Sequence, residues 1–121
     1  MNNRRRPTLY ETTLLERLLD QDFDGAAELK RQLPSLIVET ISGQNDNYGS
    51  IALYVNDGNS ASVLQRVPVE ARAHDSDEVS IDALLHIVNG MLNELEFLKV
   101  DGTKILERPK VEDFQCSAID S

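Results

Sequence analysis

Asp20, Asp22 and Asp24 stand at alternate positions just ahead of Gly25, in the run DQDFDGAAELKR. Carboxylates so spaced before a glycine are how a calcium loop of the EF-hand type begins. The twelfth position of such a loop supplies a bidentate carboxylate. Here it is Arg31, which has no oxygen to give and brings a repelling charge. Glu28, at the ninth position, is a weak substitute. The same letters also fit a corner between two helices. Asp20 then closes the first helix, Asp24 caps the second, and Phe23 turns inward as an anchor. The corner reading accounts for Arg31 and the calcium reading does not.

A second group surrounds the dipeptide Asn89-Gly90, which between two apolar runs favours a tight type I′ reversal. A two-residue loop sets Val88 opposite Met91, His86 opposite Asn93, Leu84 opposite Leu95 and Asp82 opposite Phe97. A histidine oriented by an asparagine is an acid–base pair, and His86, Asn93, Glu94 and Glu96 are the catalytic candidates. A structural pair at the rim of a sheet fits His86 and Asn93 better. Glu94 and Glu96 lie at i and i+2, about 6–7 Å apart along a strand, near the carboxylate separations of sugar hydrolysis. That chemistry needs a cleft and stacking aromatics, and the chain has three Tyr, three Phe and no Trp. An acidic outer face, or pairing with Arg66 or Arg72, is the simpler expectation.

Cys116 is the only cysteine and lies 30 residues beyond His86, in a tail without clear periodicity. A Cys-His-Asn set drawn from such separated residues is weak. His74, Asp75, Asp77 and Glu78 are too close in sequence to converge on one ion and read as a solvated turn. P-loop, GxGxxG, HExxH, GxSxG and paired CxxC motifs are missing. No cofactor is expected.

These residues need elements to position them. Thr8 and Glu11 form a capping box ahead of Leu14, Leu15, Leu18 and Leu19, which predicts a helix over about 9–20. Ala26, Ala27, Leu29 and Leu33 predict a shorter helix stopped by Pro34. From Leu36 the pattern changes to strands. LIVETI and SIALYV are joined by a polar, glycine-rich connection at 43–49 that is expected to be mobile. Pro68 marks an irregular start to the next strand. The reversal at 89–90 puts Leu84, Val88, Met91, Leu95 and Phe97 on one face. Ile81, Leu85, Ile87, Leu92 and Leu98 then share the other with Glu94 and Glu96. The fold expected is α+β: two N-terminal helices packed on a mainly antiparallel meander sheet of about five strands. The single domain divides into a basic flexible tail (1–7), a helical hairpin (8–33), a β-meander (36–100) and a C-terminal extension (103–121). That extension, or a partner, should cover part of the sheet's second face.

With 121 residues the chain can bury a continuous core. Its formal charge is −9. Of the 12 basic residues, three are Arg4 to Arg6; without them nine stand against 21 acidic ones, a body near −12. That balance disfavours nucleic acid and anionic lipid. It allows a basic protein as partner, while apolar residues on both sheet faces allow a homodimer. No apolar run approaches the length of a membrane span, and the lone cysteine suits a cytoplasmic setting. A small acidic protein without catalysis, of the kind that neutralises a basic toxin, is the leading expectation. The alternatives are a small-molecule binder or hydrolase-like enzyme with a pocket near His86, and a homo-oligomeric structural protein.

The order of segments resembles a family of small uncharacterised bacterial proteins. The matching residues are Arg6-Pro7, Asp22-Phe23 with Gly25-Ala26 and Leu29, Val67 to Ala71, Leu84 to His86, Gly90, and Glu94 to Glu96. The resemblance spans about residues 6–102. That family's corner carries proline after the phenylalanine, where this chain has Asp24. The resemblance implies no catalytic role for any residue.

Overall fold

The structure, a computed structural model, describes residues 3–41, 49–56 and 58–119. Helix α1 spans Leu9–Leu19. The hydroxyl of Thr8 accepts from the Glu11 N–H at 3.2 Å while the Glu11 carboxylate accepts from the Thr8 N–H at 2.8 Å, so two N-terminal donors that have no partner within the helix are satisfied reciprocally. Leu14, Leu15, Leu18 and Leu19 form its buried stripe. Helix α2 is only Ala26–Lys30 and is followed by a 3₁₀ turn at Leu33–Ser35 that contains Pro34.

The six strands are β1 (Leu36–Thr40), β2 (Ile51–Val55), β3 (Val69–His74), β4 (Ser80–Val88), β5 (Met91–Lys99) and β6 (Gln115–Ala118). They make one sheet in the order β1-β2-β5-β4-β3-β6, with every pairing antiparallel. The α+β architecture of paired N-terminal helices on an antiparallel sheet is therefore present, with one strand more than expected. β3, β4 and β5 are consecutive neighbours. The β1–β2 hairpin then joins at the other side of β5, so the order departs from an unbroken meander.

The core lies between the helices and one face of the sheet, where Val38, Ile51, Val69, Ala71, Ile81, Leu85, Leu95 and Phe97 are buried with the α1 leucines. The C-terminal extension packs on this same side instead of covering the opposite face. Ile105 and Phe114 are buried, and the Phe114 ring is tilted against Phe97 with centroids 6.3 Å apart. The Tyr10 hydroxyl donates to the Pro109 carbonyl at 2.6 Å, and Arg17 donates to the Val111 carbonyl. Burial pushes the Tyr10 phenol up to about 12, the nearby Arg108 guanidinium opposing it. The chain then pairs β6 with β3, which is the strand that the unpatterned tail concealed.

Arg5, placed by the sequence in a frayed tail, is held at both ends. Its backbone exchanges hydrogen bonds with Val38 at 2.8 and 2.7 Å, and its guanidinium grips the Glu11 carboxylate at 2.8 and 2.9 Å. Arg4 stacks over the Tyr54 ring at 3.8 Å. Apart from Gly49, the 43–49 connection falls outside the described residues.

Candidate functional site

Asn89 and Gly90 both have positive φ, 54° and 75°, as a type I′ reversal requires. Val88 opposes Met91 and Ile87 opposes Leu92. Beyond that point the register shifts: a bulge at Asn93 sets His86 opposite Glu94, Leu85 opposite Leu95 and Leu84 opposite Glu96. The expected facing pair of His86 and Asn93 does not form. Neither do Leu84–Leu95 and Asp82–Phe97. The cause is burial. Leu92 and Leu95 are three residues apart, and strict alternation would send one of them to solvent. The extra residue lets Leu92, Leu95 and Phe97 all face the core, at 2%, 0% and 2% exposure.

The same bulge turns Glu94 and Glu96 to the outer face beside His86. The ligand atoms of these three residues lie within 4.8 Å of one another, and each residue is half-buried. Among the described residues no other group of His, Cys, Asp or Glu converges in this way. His86 Nε2 is 2.8 Å from a Glu96 carboxylate oxygen, and Arg66 Nε donates to His86 Nδ1 at 3.1 Å. Arginine has only donors, so Nδ1 must accept and Nε2 carries the proton. The imidazole thus lies between the Arg66 guanidinium and the Glu96 carboxylate. Of the two arrangements expected for Glu94 and Glu96, the acidic outer face is present, and Arg66 contacts His86 rather than pairing with a glutamate. Arg72 binds Asp82 through two bonds of 2.6 and 3.0 Å.

The calcium-like run does not gather. Asp20 pairs with Lys30 as the residue after α1, and Asp22 and Asp24 are exposed. Asp24 does not cap α2. That position belongs to Gly25, at φ 92°, with no side-chain cap. A side chain on Gly25 would meet Val63 at 2.5 Å, which explains the tight corner without an ion.

Cys116 sits on β6 opposite Ala71, half-buried against the core, and burial pushes its thiol up. β3 separates its strand from β4, and His86 faces the other way, so no Cys-His-Asn set forms. The sequence places Asp75 in a solvated turn, and the structure does not. Asp75 is buried and bound to Lys99, which sequence spacing had no means of pairing with it.

A groove of about 1030 Å³ lies between the helical corner, the 60–65 segment and the hairpin tip, lined among others by Phe23, Val63, Leu64 and Ile119. His86, Asn93, Glu94 and Glu96 do not line it. No helix among the described residues is long and apolar enough to cross a membrane.

Comparison with known proteins adds a family and no activity. No curated protein and no solved structure matches the chain. Residues 4–109 match the family model described as a domain of unknown function, DUF6984. With most of its length matched, the chain belongs to the DUF6984 family.

Proposed function

We propose that this is a small acidic interaction protein without catalysis of its own, which docks a basic protein on the outer face of its sheet. One observation carries the reading: both helices and the C-terminal extension pack on the inner side, leaving the outer face of β3, β4 and β5 to solvent. That face combines half-buried Leu84, Val88 and Met91 with Glu70, Asp82, Glu94 and Glu96. Apolar area beside an excess of carboxylates, with Arg66 and Arg72 engaged by His86 and Asp82, is the composition of a docking surface, the charge guiding encounter and the apolar centre holding the partner. The formal charge of −9 favours a basic partner, and neutralising a basic toxin is a setting of this kind. The lone Cys116 suits a cytoplasmic location.

The enzymatic alternative around His86 draws no support from the groove, which opens elsewhere. The motif run that carries the family resemblance has a physical basis here: Gly25 and Gly90 both press on residues 60–63, where a side chain would collide.

Affinity capture from native extract tests the proposal, with wild type beside a Leu84→Lys/Glu94→Lys variant and a Leu9→Lys control. A basic protein held by wild type and the control but lost by the face variant supports docking there. Equal capture by all three removes the outer face from consideration. Recovery of the chain alone, with a dimer in light scattering, would replace the basic partner with a second copy.

A further inference from the structure

We infer that His86, Glu94 and Glu96 form a binding site for a first-row divalent transition ion, of which zinc is the best probe. This goes beyond the docking proposal, with which it shares Glu94 and Glu96. The donor set is one imidazole nitrogen and two carboxylates, their ligand atoms within 4.8 Å of one another. Ligands of a tetrahedral ion at bond lengths of about 2.1 Å stand roughly 3.4 Å apart. A swing of about an ångström in the glutamate side chains therefore closes the set. One imidazole among oxygens suits zinc and its neighbours, whereas magnesium and calcium prefer oxygen alone.

The backbone shows how the set arises. Without the bulge at Asn93 the residue opposite His86 would be an asparagine, and Glu94 and Glu96 would point into the core. The bulge brings all three ligands to one surface, and bulges commonly serve to re-aim side chains at functional positions. Three protein ligands leave at least one coordination position open to water.

Arg66 defines how the site must work. An ion on Nε2 displaces the proton there. With Nε2 on the ion, the proton of the imidazole sits on Nδ1. Nδ1–H then points at Arg66 Nε–H, donor against donor, and the present 3.1 Å bond breaks. The Arg66 side chain is exposed and free to swing outward, while its carbonyl stays anchored to the Ile87 N–H at 2.7 Å. Ion binding and the Arg66–His86 bond are mutually exclusive, and Arg66 competes with the metal.

Isothermal titration of the full chain with zinc chloride tests this, together with the visible absorption of added cobalt. The expected result is one equivalent bound by wild type, weakened by about tenfold or more in His86→Gln and in Glu94→Gln. Arg66→Leu should bind more tightly than wild type. His74→Gln, altering the other histidine, should titrate like wild type. Circular dichroism confirms that each variant folds. Absence of binding in both wild type and Arg66→Leu overturns the inference. So does binding that survives loss of His86 or depends on His74.

Discussion

Lys99 and Asp75 form a buried ion pair, Nζ to Oδ2 at 3.0 Å, with their side chains 2% and 0% exposed. Asp75 also accepts the backbone N–H groups of Ser76, Leu106 and Glu107 at 2.7 to 2.9 Å, and Lys99 donates to Asp77 at 2.6 Å and to the Lys104 carbonyl at 3.2 Å. A buried carboxylate is tolerated only when it is paired and fully hydrogen-bonded, as this one is. The pair ties the loop after β3 to the end of β5 and to the start of the C-terminal extension.

Burial pushes the Asp75 carboxyl up, but the backbone donors and Lys99 outweigh it and hold the group well below the ordinary carboxylate range. A depressed folded value stabilises the protein above the unfolded value near 3.8, and that stability is lost as pH falls toward the folded one. Asp75→Ala should cost about 3 kcal/mol near neutral pH by leaving Lys99 buried without this partner. Urea unfolding between pH 7 and 2 checks both points. Wild type should lose stability below about pH 4 more steeply than the variant, and parallel curves would contradict the assignment.

Gln32, fully buried, clamps the hairpin tip to the helical corner. Its amide nitrogen donates to the Asn59 and Gly90 carbonyls at 2.9 and 3.0 Å, and its oxygen accepts from the Leu92 N–H at 3.0 Å. Gln32→Leu leaves the Leu92 donor unsatisfied and should cost about 1–3 kcal/mol. The measurement is a lowered urea midpoint with an unchanged slope.

Gly90 and Gly102 have nearly equal φ, 75° and 77°, but different surroundings. A side chain at Gly90 would meet the Ala61 carbonyl at 2.5 Å, whereas nothing lies within 4 Å at Gly102. Gly102→Ala should therefore cost only backbone strain, about 1 kcal/mol, and Gly90→Ala about 2 kcal/mol or more. Thermal denaturation of the two variants separates packing from strain, and equal losses would deny the close approach.

The local signals in the chain carried most of the fold. The capping box at Thr8 and Glu11, the leucine stripe and the Asn89-Gly90 reversal each depend on neighbours in sequence, and each appears as read. What stayed hidden depends on distant partners. β6 has too few apolar residues to announce a strand and exists because β3 offers an open edge. Asp75 finds Lys99 and the 106–107 backbone only after the sheet has formed. The bulge did leave a trace, in the three-residue gap between Leu92 and Leu95. A strict two-residue alternation passed over it and so faced His86 with Asn93, although the three residues that gather at the site were all among the candidates.

The displacement at Asn93 sets which side chains share the outer face with His86. Nuclear Overhauser contacts across β4 and β5 in the labelled chain measure it directly. The account predicts backbone contacts between His86 and Glu94, Leu85 and Leu95, and Ala83 and Phe97, with Asn93 unpartnered. Contacts of His86 with Asn93 and of Leu84 with Leu95 would contradict it, and would dissolve both the docking face and the metal site.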